Sequence, residues 1–212
     1  MRARKPHLDE AQRQLVREWW SALQPDDAAN ERRARSAFGF DRGDRAALRR
    51  AVSVDDLLLT RASHVLAQRL VSLDERKTHR RLGDDVSSYQ RLALAAGVLS
   101  HVKDDSKDGR SLAWALGEAA GNERALMSEL RFKRLLNAVA PDDVYRQVLR
   151  AVALAKAKAD VAQLADDILA WLAEAARPDS RPADSVRLHW AHDYYLSAKE
   201  QAGAAEPVST RS

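Results

Sequence analysis

The most constraining feature of this sequence is a repeat of apolar residues at helical spacing between Glu129 and Trp171. Apolar side chains recur there every three or four residues, which is the spacing of one face of an α-helix. Two signals divide the stretch. Pro141, followed by two aspartates, suits a helix start, and Asp160 suits an N-cap. The stretch therefore predicts three successive helices that each pack through one side.

Arginines occupy the opposite side of two of these helices. Arg131 and Arg134 are three residues apart, and Arg146 and Arg150 are four apart, so each pair shares a helix face. A planar guanidinium group donates two parallel hydrogen bonds and suits phosphate oxygens. The alternative for each arginine is an ion pair on its own helix, for example between Arg146 and Asp142. Both interpretations remain open for individual residues.

The composition predicts an all-α fold. Hydrophobic residues make up 45% of the chain and charged residues 31%, with only 8 glycines, and strand-forming residues are scattered. The polar segment from His101 to Arg110 is the clearest boundary. We therefore expect two small helical-bundle lobes, residues 1–105 and 106–200, and a disordered tail at 201–212. A chain of 212 residues is long enough to build such a core.

Helix-start signals also occur outside the central stretch. The one near Asp9 opens a helix whose Trp19 and Trp20 lie at core spacing, which favours burial over a base-stacking platform. Residues 1–7 are expected to be loose, and 74–85 and 177–184 to form polar loops. The full set of predicted starts is Asp9, Asp26, Asp44, Ser53, Ser87, Ser111 and Val186, the last opening a helix to Lys199.

Positive charge is unevenly distributed. The net formal charge is +4, and the segment from Glu31 to Arg50 alone holds seven arginines against three acids, 7 − 3 = +4. Such a cluster indicates either an anionic partner or an arginine-rich solvated surface. No row of Asn or Gln accompanies it, so sequence-specific base recognition is disfavoured. The candidate nucleic-acid-binding residues are Arg45, Arg49, Arg50, Arg110, Arg131, Arg134, Arg146 and Arg150.

Several classes of protein are disfavoured. The chain has no cysteine, which excludes disulfides and thiolate chemistry. The basic N-terminus lacks the apolar segment of a signal peptide, and the longest apolar run, Leu92 to Leu99, is too short to span a bilayer. We therefore expect a cytoplasmic protein without membrane contact.

The sequence predicts no catalytic residue, no metal and no cofactor. His189 and His192 could chelate a metal with Asp193, but no further ligand cluster is visible. A helical metallohydrolase built on these histidines is the remaining enzymatic alternative. The adjacent pairs Asp142-Asp143 and Asp166-Asp167 point about 100° apart on a helix, so capping and surface charge explain them better than acid–base chemistry.

Four motifs follow one another along the chain: RF..LL from Arg131, Asp and an aromatic before R..L.AVAL, LADDILAW from Leu164, and W.HDYY from Trp190 to Tyr195. This ordered set resembles the CasB family, the small subunit of the type I-E CRISPR surveillance complex Cascade. The resemblance extends more loosely to WW..L from Trp19. No single motif is specific, but their order covers most of the chain.

The resemblance implies a non-catalytic subunit with two helical lobes. Its partners would be the repeated backbone subunit, the large subunit and a second copy bound head to tail. Its ligands would be the crRNA–target heteroduplex and the displaced DNA strand, held non-specifically so that the R-loop stays open during antiviral defence. The segment before Trp19 and the loops 74–85 and 177–184 depart from the family as insertions.

A second function remains open from the residues alone. The same arginine faces could bind acidic protein surfaces, which would make the chain an all-helical adaptor that binds no nucleic acid. Competition by single-stranded DNA at moderate salt would separate the two functions.

Overall fold

The computed structural model describes residues 4–25, 37–75, 82–118, 125–176 and 185–204. Its described residues are all-α apart from two strands of two residues each, which confirms the predicted fold class. The helices are α1 (Glu10–Leu23), α2 (Arg42–Arg50), α3 (Val54–Leu58), α4 (Arg61–Glu75), α5 (Val86–Ser100), α6 (Leu112–Gly117), α7 (Glu129–Leu136), α8 (Pro141–Leu154), α9 (Val161–Ala175) and α10 (Val186–Ala204). The strands are β1 (Asp104–Asp105) and β2 (Lys158–Ala159), which pair in parallel.

Helix α5 lies at the centre of the fold. Every residue from Leu92 to Ser100 is buried, so the helix is enclosed on all sides. Helices α3, α4, α8 and α9 pack around it. A helix that is apolar all round can be stable in water only when other helices cover it, and the run of small and apolar residues indicated this position.

Helix α9 is the second buried element, and its start was predicted correctly. Asp160 caps it by accepting a hydrogen bond from the Gln163 amide at 2.9 Å. It packs against both α1 and α5. The division into lobes at residue 105 remains a proposal, but the packing of α9 joins helices from both sides of that position.

The N-terminal segment is anchored rather than loose. Arg4 pairs with both Asp166 and Asp167 of α9, and the backbone amide of Leu8 donates to Asp166 at 2.6 Å. Leu8 is 1% exposed, and the two carboxylates are 0% and 2% exposed. The expectations of a loose segment and of surface carboxylates were therefore wrong for these residues, because charge pairing made burial possible.

Other boundaries differ from the sequence-based expectations. Asp41, not Asp44, caps α2, and Asp44 completes the capping box from the third helical position. The helix predicted from Ser53 is divided at Leu59 into α3 and α4, and α10 continues to Ala204, past both Lys199 and the predicted start of the tail. The two short strands were not predicted. The predicted helix from Asp26 and the loop 177–184 lie wholly or mostly outside the described residues, as do residues 76–81 and 205–212.

Candidate nucleic-acid interface

A groove of about 550 Å³ lies between α7 and α8, and three of the predicted arginines line it. Its walls are formed by Met127, Arg131, Arg134, Gln147, Arg150, Ala153 and Leu154. We call this the α7–α8 groove. Two arginines from one helix thus lie beside one from the next, as the face assignment predicted.

The orientation of α7 follows from its apolar side. Phe132 and Leu135 are fully buried, and the Phe132 ring stacks on Tyr194 of α10 with 4.0 Å between ring centroids. Arg131 and Arg134 are consequently turned outward, and both are exposed. Helix α8 buries Val144, Tyr145, Val148, Ala151 and Val152, which leaves Arg150 on the exposed side.

Arg131, Arg134 and Arg150 have no carboxylate partner among the described residues. The nearest acids on the same helices are used by other cations. Glu129 pairs with Lys133 at 2.7 Å, and these contacts lower the pKa of the Glu129 carboxyl. The groove therefore presents three guanidinium groups whose charge is not offset by any carboxylate in the described part of the chain.

Arg146 does not belong to this set. It pairs with Asp143 at 2.5 Å, one helical turn back. The ion-pair interpretation was right for this residue, but the expected partner Asp142 was wrong. Asp142 instead accepts a hydrogen bond from the Val54 amide at 2.8 Å and so ties the start of α3 to α8.

Arg110 lies in a second groove of about 420 Å³. Its guanidinium carbon lies 4.6 Å above the centroid of the Trp114 ring. Lys156 and Lys158 also line this groove, and neither was identified from the sequence. The only sequence signal for these two lysines was the alternation of Ala and Lys in the short segment after α8.

Arg45 and Arg49 lie on α2, away from both grooves, beside His101 at the end of α5. Arg50 is exposed on the same helix and donates to the carbonyl of Ala46 at 3.2 Å. The eight predicted residues therefore fall into three separate places, plus the ion-paired Arg146. The nearness of His101 to Arg45 and Arg49 had no sequence signal, because about fifty residues separate them.

Asp167 has the most perturbed pKa of the acids in the described residues, and it lies beside Asp166 on α9. Burial raises the pKa of Asp167 to about 6, while Arg4 and a hydrogen bond from Trp190 Nε1 at 2.8 Å act in the opposite direction. Both side chains are sealed from solvent, so a substrate cannot reach them. Their geometry serves to hold the N-terminal segment against α9.

His189 and His192 do not form part of a larger ligand cluster in the described part of the chain. There, no group of three or more His, Asp or Glu side chains is close enough to hold a metal ion. Likewise, within the described ranges, no helix is long and apolar enough to cross a membrane.

The fold and the grooves define a class first: an all-helical protein that presents unpaired arginines on its surface. The family model of CRISPR-associated protein Cse2 matches residues 44–195, and the chain belongs to this family. It is therefore a subunit of the CRISPR Cascade complex.

A solved structure supports the fold. The crystal structure of CasB from Thermus thermophilus is similar to this chain with a TM-score of 0.52 and 22% sequence identity, over 87% of this chain and 97% of that one. No curated protein matches the chain. The resemblance that the sequence motifs indicated is confirmed.

Proposed function

We propose that this chain is the non-catalytic small subunit of a type I-E Cascade complex, and that it holds nucleic acid by its backbone. The α7–α8 groove is the principal contact. Base pairing between crRNA and target supplies the sequence discrimination in such complexes, while the protein stabilises a nearly balanced strand exchange. In this role the subunit keeps the R-loop open during antiviral defence.

The observation that carries the proposal is the set of three unpaired arginines in one groove. Arg131, Arg134 and Arg150 are exposed and have no counter-charge within the described ranges, so they keep their capacity for bidentate contacts with phosphates. Guanidinium groups that were needed for stability would lie against carboxylates, as Arg4 does. The groove provides no row of base-reading amides, which fits binding without sequence preference.

The partners proposed for the subunit are the backbone and large subunits and a second copy bound head to tail. A groove on each copy would then follow the crRNA–target heteroduplex or the displaced strand. Arg110 would extend the contact by its own charge alone, because three acids, Asp108, Glu118 and Asp160, line the second groove beside its three cations.

The test is a titration of the purified protein with labelled single-stranded DNA across a salt series. Each phosphate contact to a single strand contributes about 0.7 to the slope of log affinity against log salt. We expect Arg131→Ala/Arg134→Ala to weaken binding and to lower the slope by about 1.4, which is two such contacts. The melting temperature should change little, because both side chains are exposed.

The matched control is Lys133→Ala/Arg146→Ala. It removes the same amount of charge from α7 and α8, the two helices that line the groove, but both of its cations are already ion-paired. The control should keep most of the affinity. Equal losses in the two variants would show that net charge alone drives binding, and unchanged affinity in the test variant would place the contact elsewhere.

A further inference from the structure

Three basic side chains meet where α2 packs against the end of α5. Arg45 and Arg49 are four residues apart and share a face of α2. His101 is the C-cap residue of α5, and both arginines are close enough to act on its imidazole. We call these three residues the Arg45–Arg49–His101 cluster.

The cluster has no counter-charge in the described residues. The two acids of the α2 cap are used elsewhere. Asp41 accepts hydrogen bonds from the amides of Gly43 and Asp44, and the Asp44 carboxylate pairs with Arg61 at 2.9 Å. Among the described residues, the charged groups that act on His101 are Arg49 and Arg45.

Two nitrogens of the cluster are buried and unbonded. Arg45 Nε and His101 Nε2 have no hydrogen-bond partner among the described residues. A buried donor without a partner costs free energy. The electrostatics agree with this: burial and the charge of Arg49 lower the pKa of Arg45, and burial with both arginines lowers the pKa of His101.

Two unpaired arginines beside a buried histidine raise the free energy of the protein when no anion is bound. The same three side chains would interact favourably with a bound anion. The C-terminal end of a helix normally stabilises a protonated histidine, yet here burial first, and then Arg49 and Arg45, lower the pKa of His101. An anion between Arg45 and Arg49 would offset their mutual repulsion. It would also remove most of the repulsion that keeps the proton off His101.

We propose that Arg45 and Arg49 form a seat for a nucleic-acid phosphate, and that His101 behind them takes up a proton when the phosphate binds. The choice of ligand rests on the proposed function, since a phosphodiester is the anion that such a subunit would meet. Arginine pairs at helical spacing present forked donors that match phosphate oxygens. The site is separate from the α7–α8 groove. It gives the protein a second contact with nucleic acid, and this contact is sensitive to pH.

The direction of the pH dependence follows from linkage. The pKa of His101 lies below its ordinary 6.5 in the free protein and rises when an anion neutralises the arginines. Affinity for the anion therefore increases as pH falls through the interval between the pKa of His101 in the anion-bound protein and its pKa in the free protein. One proton taken up on binding changes the affinity by at most about tenfold per pH unit.

The first measurement is an NMR titration of the histidine side chains, repeated in the presence of oligo-dT and in the presence of sulfate. We expect both anions to raise the pKa of His101. His64 of α4, whose ring packs against Tyr89, is the control histidine. Sulfate is chosen because its charge does not change over the pH range of the titration.

The second measurement is the affinity for oligo-dT as a function of pH. Wild type should bind about three- to tenfold more tightly at mildly acidic than at mildly alkaline pH. The upper end of this range corresponds to the uptake of one full proton on binding, and the lower end to the uptake of a fraction of a proton. His101→Gln should abolish the dependence but still bind. Arg45→Ala/Arg49→Ala should lose both the dependence and affinity, whereas Lys133→Ala/Arg146→Ala should keep both.

The outcomes separate this inference from the proposed function. Binding of oligo-dT that is lost in Arg131→Ala/Arg134→Ala, with no change at His101, would overturn the seat and leave the function intact. A response of His101 to sulfate but not to oligo-dT would overturn the phosphodiester as ligand. An equal response to poly-aspartate would overturn it in favour of acidic protein surfaces.

Discussion

Three arginine side chains of this protein occupy clearly different environments. Arg4 is nearly buried and pairs with two carboxylates, Arg146 forms a surface ion pair, and Arg131 lies unpaired in a groove. An exposed ion pair contributes little to stability, typically below about 1 kcal/mol. Only the unpaired group keeps its full capacity to bind an external anion. The same residue type therefore serves structure in one place and binding in another.

Asp167 gives a prediction at the residue scale. Its pKa in the folded protein is about 6, against 3.8 for an ordinary aspartate. Between these two values the folded state holds a proton that the unfolded state has released, so stability falls as pH rises. We expect the free energy of unfolding of wild type, relative to Asp167→Asn, to decrease by at most about 3 kcal/mol from pH 4 to 6. It should then stay level.

Urea unfolding of both proteins at a series of pH values measures this difference. A difference that stays constant from acidic to neutral pH would mean that Asp167 titrates normally. A difference that grows with pH would mean that Arg4 lowers the pKa of the carboxyl below its ordinary value, against the effect of burial.

At the element scale, α6 packs tightly against α10 at Gly117. A Cβ atom on Gly117 would lie 2.3 Å from the carbonyl oxygen of Tyr194 and 2.1 Å from Ser197 Oγ. The backbones of α6 and α10 therefore approach more closely than any residue other than glycine at position 117 would allow. This contact also fixes Tyr194, on which Phe132 of α7 stacks. The orientation of the α7–α8 groove thus depends on a glycine in another helix.

We expect Gly117→Ala to destabilise the protein by roughly 1–3 kcal/mol, as overpacking of a close contact does. Alanine favours helices by about 1 kcal/mol over glycine, so a stabilised variant would contradict the contact. Denaturant unfolding measures the change. The double variant Gly117→Ala/Ser197→Ala removes the hydroxyl but keeps the Tyr194 carbonyl, and it should remain destabilised.

At the scale of the whole molecule, two buried helices join the chain across position 105. Helix α5 packs against α8 and α9, and α9 packs against α1. The buried apolar residues form one cluster that extends from Leu8 to Tyr194. If one of the two proposed lobes unfolded, the other would lose the helices that cover much of its core.

We therefore expect thermal unfolding in a single cooperative transition. Calorimetry provides the test, because the calorimetric and van't Hoff enthalpies agree for such a transition. Two resolved transitions, or a folded fragment 1–105, would show instead that the proposed lobes are independent units.

The sequence by itself determined most of the helices and one face of each. Local signals are sufficient for this, because the apolar period, Pro141 and the Asp160 cap act within a single turn. The same period placed Arg131, Arg134 and Arg150 on exposed sides. The family was also visible in the sequence, since its motifs contain buried residues such as Phe132, Leu164 and Trp190 at the spacing that the core requires.

Only the tertiary structure decided how each charged group is used. Arg146 and Arg150 have the same spacing pattern, yet one is ion-paired and the other lines a groove. The burial of Asp166 depends on Arg4, more than 150 residues away, and the meeting of His101 with Arg49 depends on the packing of α2 against α5. Electrostatic interactions depend on distance in space and on burial, and neither is encoded locally.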